Sequence, residues 1–232
     1  MLNITDINSG RNIIETVIFD MDGVIIDSEP IHRELQGQLF QKHNISLGPE
    51  EYQTYIGRSS KNMWQELIEK FSLLVTVEEI LEQDRDLYHK RLRCEPDLGP
   101  IPGVSELIQA LHGEQVNLIL ASSSTLESIH LVLELFKLAH FFDHKVSGAD
   151  LKFSKPHPEI FKVAAGLANS DSNRCLVIED SSHGVTAAKR ADMKCIGFQN
   201  PNSGNQDLTS ADLIIHNFNE LTVERIMELG SK

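Results

Sequence analysis

A β-branched run that ends in two carboxylates constrains this chain more than any other feature. Val17-Ile-Phe-Asp-Met-Asp-Gly-Val-Ile-Ile-Asp-Ser-Glu-Pro30 carries a strand directly into Asp20 and Asp22, one residue apart, with Gly23 following at once. A strand ending in Asp-x-Asp-Gly places both acids on a loop at the carboxyl edge of a sheet, where open α/β sheets hold their ligands. Asp and Gly are also common turn residues, so the bland alternative is a plain polar turn.

The rest of the chain supplies the sheet. After a polar lead through Arg11, Ile13–Phe19 reads as a buried strand. From Ser28 to Cys94 the pattern is helical. Ile31, Leu35 and Leu39 form one apolar stripe, Trp64, Leu67, Ile68 and Phe71 another, and Ile80, Leu81, Leu87, Tyr88 and Leu92 a third. Trp64 therefore reads as packing, and the acids Glu66, Glu69, Glu78, Glu79 and Glu82 as a solvated face.

Beyond Pro100 helix and strand alternate. Val104, Leu107, Ile108 and Leu111 mark one helix, Leu126, Ile129, Leu133 and Phe136 a second, and Ile160, Val163, Ala164 and Leu167 a third. Ser124-x-x-Glu127 reads as a capping box and Pro158 as a first helical position. A further helix is expected over Ser182–Ala191. Val116–Ala121, the surroundings of Val146, Cys175–Ile178, Cys195–Phe198 and Leu213–Ile215 read as strands. The expected class is α/β, a Rossmann-like and mostly parallel sheet with helices on both faces. Residues 1–27 and 95–232 form the core, and 28–94 an inserted all-helical domain.

With 232 residues, 41% hydrophobic and 24% charged, the chain can bury a substantial core. A formal net charge of −13 without a basic stripe argues against nucleic acid as a partner. Cys94, Cys175 and Cys195 form no C-x-x-C pair, which fits a reducing compartment better than disulfides or zinc. No apolar run approaches the ~18 residues of a membrane span. The expectation is a cytoplasmic protein, a monomer or weak homo-oligomer, with no membrane partner.

Polar groups of the right kind follow three further strands. Ala121-Ser-Ser-Ser124 offers Ser122 and Ser123 at a helix start, which suits either a phosphate cradle or plain capping. Ser154-Lys-Pro-His-Pro158 presents Lys155 stiffly, and His157 shapes that loop. Val177-Ile-Glu-Asp-Ser-Ser-His-Gly184 ends in Glu179 and Asp180, with His183 reading as solvent-facing. If these loops meet, three carboxylates converge. Two unit charges ~4 Å apart repel by roughly 4 kcal/mol at an effective dielectric near 20, so a cation must compensate or some acids must stay protonated. Oxygen-only ligands suit a hard ion, and Mg²⁺ suits carboxylates with phosphate. Asp20 is then placed to act as nucleophile, Asp22 as acid and base, and Ser122 and Lys155 as phosphate holders.

In this order the motifs resemble the haloacid dehalogenase-like (HAD) hydrolase superfamily: F-D-M-D-G at Phe19–Gly23, Ser122, S-K-P-H-P around Lys155, and I-E-D-S at Ile178–Ser181. The resemblance covers nearly the whole chain. It implies a helical cap inserted after the first motif, Asp20 as phosphorylated nucleophile and Asp22 as general acid/base. Mg²⁺ would be held by Asp180 and the Asp22 backbone carbonyl, with Asp20 at the same site and Glu179 supporting directly or through water. The dehalogenase branch is not expected, since those enzymes need neither metal nor the second acid.

D-G-V-I-I-D-S-E-P-x-H and the helical insertion resemble the β-phosphoglucomutase and sugar-phosphate phosphatase group. In the mutases a cap loop resembling G-V-S-R-E-D-S-L provides an Arg for the distal phosphate. Here that segment reads Gly57-Arg-Ser-Ser-Lys-Asn-Met-Trp64, with Ser60 at the Arg position and Arg58 and Lys61 as substitutes. Arg and Lys are not interchangeable in a bidentate grip, which favours a phosphatase of small phosphorylated metabolites, a sugar phosphate among them, over a phosphohexomutase. A non-catalytic module normally lacks Asp20, Asp22 or Lys155, and all three are present. His32 reads either as a substrate or hinge contact or as a helix-surface residue.

Overall fold

The computed structural model describes residues 14–56 and 58–230, so the polar lead, Ile13 and Gly57 lie outside the described residues. A six-stranded parallel sheet organises them. Its strands are β1 (Thr16–Phe19), β2 (Asn117–Ser122), β3 (His144–Ser147), β4 (Cys175–Glu179), β5 (Lys194–Phe198) and β6 (Leu213–Ile215), in the order β3-β2-β1-β4-β5-β6. β1 is shorter than expected. Ile14 is buried without pairing into the ladder.

The helices are α1 (Glu29–Lys42), α2 (Pro49–Gln53), α3 (Ser60–Phe71), α4 (Val77–Cys94), α5 (Val104–Gly113), α6 (Leu126–Leu135), α7 (Glu159–Leu167), α8 (Ser182–Arg190) and α9 (Val223–Gly230). Strand residues alternate between two apolar layers, as a period of two demands. Val17, Phe19, Leu118, Leu120 and Ile178 face a core with α5 and α6, whereas Ile18, Ile119 and Val177 face α7 and α8. Both faces are covered, which is why the strands read as continuous apolar runs.

Helices α1 to α4 occupy the segment expected to be an all-helical insertion. Leu39, Ile45, Tyr55, Met63, Trp64, Leu67 and Ile80 form a buried cluster of their own there. Trp64 is fully buried, in keeping with its stripe. The segment also leans on the sheet layer, since Ile31, Leu35, Tyr88 and Leu92 join the core beneath α5 and α6. His89 of α4 meets Ser128 of α6 at 2.8 Å.

Several local expectations shift. The cap of α6 is Thr125, whose hydroxyl accepts from Ser128 N, because Ser124 turns its own hydroxyl to Asp22. Pro158 is the N-cap of α7, and Glu159 opens the helix. On α7 the buried face is Ile160, Phe161, Ala164 and Ala165, leaving Val163 and Leu167 exposed. Leu126 is likewise exposed, at the very start of α6. Among the acids of the helical segment, Glu79 closes a capping box with Thr76, and Glu66 binds both Arg58 and Tyr55.

Candidate active site

Sheet order reverses at β1, which has β2 on one side and β4 on the other. The crevice that forms at such a topological switch point therefore opens at the carboxyl end of β1. Asp20, Ser122 and Glu179 stand at the ends of these three strands, and Asp20 N donates to Ile178 O at 3.0 Å. Lys155 reaches in from the loop before α7. Its Nζ lies 2.7 Å from Asp20 Oδ1 and 2.7 Å from Glu179 Oε1.

Glycine makes the convergence possible at two positions. Gly23 has φ of +79°, and a Cβ there would lie 1.9 Å from Asp180 Oδ2. A Cβ on Gly184 would lie 1.7 Å from Glu179 Oε1, so α8 approaches that acid only through a bare backbone. Glu179 is held at both oxygens, by Lys155 and by the Ser181 amide and hydroxyl at 2.8 and 2.9 Å. Asp180 Oδ2 accepts from Ser203 Oγ.

Asp20, Glu179 and Asp180 each bring an oxygen within 4.8 Å of the others, and all three are buried. Burial is the main reason the Asp20 carboxyl is raised from 3.8 to about 7. Lys155 opposes this, but shares its charge with Glu179, and Glu179 and Asp22 push the same way as burial. Burial raises Asp180 well above the usual carboxylate range too, reinforced by Glu179 and Asp20. One lysine thus serves a cluster of acids. Oxygen donors short of positive charge fit a hard divalent cation such as Mg²⁺. Oδ2 of Asp20 and Oδ1 of Asp180 make no hydrogen bond among the described residues.

The Asp22 side chain stands apart from this acid cluster. Oδ1 accepts from Ser28 Oγ at 2.6 Å and lies 3.7 Å from His32 Nε2. Oδ2 accepts from Ser124 Oγ at 2.8 Å and from Ser122 Oγ at 3.4 Å. Burial alone would raise its carboxyl, yet His32 and the hydroxyls outweigh burial and hold it at about 2. His32 responds in the opposite sense. Burial disfavours its charge, but Asp22 foremost, then Asp84 and Glu29, raise it to about 9. The surface alternative for His32 is therefore replaced by an ion pair inside the site, with the ring stacked on Tyr88 at 4.4 Å.

These groups border a cavity of about 620 Å³ between the sheet edge and the helical segment. Ser122, Ser123, Arg58 and Lys61 also line it. Arg58 is engaged, with Nη2 3.0 Å from Glu66 and its guanidinium 5.2 Å above the Tyr55 ring. His183 is half-buried rather than solvent-facing, and burial, with Arg58 nearby, lowers its affinity for a proton. His157 accepts from the Glu159 amide at 3.3 Å, which fits loop shaping. Sequence reasoning missed Ser28, Ser124, Ser203 and Asp84. The first two sit beside motifs, but nothing in their spacing announces that they meet Asp22.

Comparison with known proteins agrees along the chain. Residues 17–198 match the haloacid dehalogenase-like hydrolase family model. Hexitol phosphatase B of Escherichia coli is 29% identical over 231 residues, 92% of this chain and 97% of that protein. A phosphorylated carbohydrates phosphatase of Thermotoga maritima is 29% identical, covering 79% of this chain and 84% of its own length. The structure of β-phosphoglucomutase from Clostridium difficile superposes with a TM-score of 0.81 at 27% identity, covering 94% of this chain and 97% of the other. The chain belongs to the haloacid dehalogenase-like hydrolases, an enzyme of the branch that resembles β-phosphoglucomutase and the sugar-phosphate phosphatases.

Proposed function

We propose that this enzyme hydrolyses a small phosphorylated metabolite, a sugar phosphate, with Mg²⁺ and through a phosphoaspartyl intermediate on Asp20. The observation that carries the reading is a buried trio of acids beside a single lysine, opening on a cavity of about 620 Å³. Asp20, Glu179, Asp180 and the Asp22 backbone carbonyl are the residues that would hold the ion, which when bound neutralises charge on the phosphoryl oxygens.

Asp20 Oδ2 attacks phosphorus, and the bond to the leaving oxygen breaks. Lys155, Ser122 and Ser123 hold the phosphoryl oxygens in place. The Asp22–His32 pair carries one proton at neutral pH, on the imidazole. That proton passes through Asp22 to the leaving oxygen. Asp22 then takes a proton from the water that attacks the phosphoaspartate and releases phosphate. Residues 28–94 act as a cap that closes the cavity against bulk water, with 23–30 as the hinge.

Phosphate release from a panel of sugar phosphates with Mg²⁺ tests the reading, with β-glucose 1-phosphate and a bisphosphate primer run in parallel. Formation of glucose 6-phosphate in place of free phosphate would assign a mutase. Absence of any turnover would overturn both.

A further inference from the structure

The loop between β5 and β6 touches three other parts of the molecule: the turn after Asp22, the acid cluster and the helical segment. Near its start the buried Asn200 donates from Nδ2 to the Gly23 carbonyl at 3.0 Å. Ser203, also buried, donates to Asp180 Oδ2 and leaves Oδ1 without a hydrogen bond among the described residues. Gln206 accepts from the Ser182 amide at 2.9 Å through Oε1. Its Nε2 donates to the Ser203 carbonyl at 2.9 Å and to the Ile56 carbonyl at 3.5 Å. Gly204 lies close against the helical segment, where a Cβ would stand 2.8 Å from Gln53 Oε1 and 3.3 Å from Ile56 Cδ1.

The part of the helical segment that meets this loop has little support of its own. α2 has five residues and buries none of them, and a helix so short is not stable by itself. Ile56, just beyond it, is 6% exposed and is covered in part by Gly204. Ser203 and Gln206 are three positions apart and joined by a hydrogen bond, so a constraint on one end is carried to the other. One end holds an acid of the cluster, and the other holds the carbonyl that follows α2.

We propose that residues 200–206 form a strap that couples the ion site to the helical segment. A divalent cation drawn to Asp180 fixes the Ser203 end, and Gly204 and Gln206 then hold α2 and Ile56 against the sheet edge. Gln206 is a positioning residue, acting through Ile56 and not on the phosphate. The coupling is reciprocal, so a seated helical segment tightens the hold on the ion. The inference rests on the reading of Asp20, Glu179 and Asp180 as Mg²⁺ ligands.

Two measurements on the full chain, made with Mg²⁺ and no substrate, test it. Titration calorimetry reads Mg²⁺ binding, and hydrogen exchange of the amides in 49–56 reads the order of α2. Saturating Mg²⁺ should slow that exchange by roughly fivefold or more, the low end of ordinary coupling between sites. Gln206→Glu keeps an acceptor for the Ser182 amide but loses the donor to Ile56. It should still bind Mg²⁺ while the slowing disappears. Ser203→Ala cuts the strap at its other end and should lose the slowing too, at Mg²⁺ levels that saturate it; it decides the matter if circular dichroism shows Gln206→Glu unfolded. Binding of Mg²⁺ to the parent without slower exchange in 49–56 overturns the strap and leaves the ion reading standing. Equal slowing in the parent and a folded variant overturns it as well. Absence of Mg²⁺ binding removes the ion reading, and the strap with it.

Discussion

Gly23 stands where any side chain would collide with Asp180, since a Cβ would lie 1.9 Å from Asp180 Oδ2. The left-handed φ of +79° adds to this, so the glycine of Asp-x-Asp-Gly is required twice. Gly23→Ala should therefore destabilise the fold by about 1–3 kcal/mol and weaken Mg²⁺ activation, because Asp180 must move aside. Thermal melts with and without Mg²⁺ check both effects. An unchanged Mg²⁺ dependence would separate Gly23 from the acid cluster.

Asp20→Asn removes the proposed nucleophile and leaves Lys155 its partner Glu179 at 2.7 Å. Phosphate release should fall by roughly 10³-fold or more while the melting curve stays close to that of the parent. Circular dichroism and a phosphate assay on the same preparation provide the comparison.

Ser203 Oγ donates to Asp180 Oδ2 from the loop after β5. Hydrogen bonds behind a metal ligand commonly govern roughly 10–100-fold in metal affinity, so Ser203→Ala should raise the Mg²⁺ concentration for half-maximal activity on that scale. Activity at saturating Mg²⁺ should recover most of the parent value.

The Asp22–His32 pair has a pH signature. His32 rises from 6.5 to about 9 on folding, so its contribution is fully present below about pH 6.5 and is lost as pH climbs through 9. Asp22 falls from 3.8 to about 2, so its contribution is present above about pH 4 and is lost as acid passes 2. His32→Gln should therefore cost most stability between pH 4 and 6.5, at most about 3 kcal/mol, and little above pH 9. Urea unfolding across that range is the measurement. The variant should also lose the basic limb of kcat near pH 9.

Asp212 ties β5 to β6 away from the site. Oδ2 accepts from the Cys195 amide at 2.8 Å and from Lys189 at 2.6 Å. Burial opposes its charge, but Lys189 and the amide prevail and hold the carboxyl below its ordinary value. Such stabilisation is present above the ordinary carboxylate pKa and fades as pH falls below it. Asp212→Asn should cost about 1–2 kcal/mol at neutral pH and less in acid, with kcat unaffected.

The strands and most helices were legible because their signals are local. Val17, Ile18 and Phe19 alternate between two covered faces, and the Trp64 stripe repeats every helical turn. Where one helix face competes with another, locality failed. Val163 and Leu167 read as core, yet α7 turns Phe161 and Ala165 inward, because the small Ala lets the helix lie close to the sheet. Ser124 read as a cap and instead serves Asp22, a partner 102 positions away in sequence.

By itself the sequence determined the parallel α/β core, the acids at strand ends and the family to which they belong, since strand period and strand-end motifs are written within a few residues. Only the tertiary structure decided which acid stands with which cation. Lys155 goes to Asp20 and Glu179, while His32 goes to Asp22, because α1 turns back over the sheet edge and four separate loops share one crevice. It also set Asp84, Tyr88 and His32 around a common cavity. Charge pairing and cavity shape depend on distances across the fold, and no spacing along the chain encodes them.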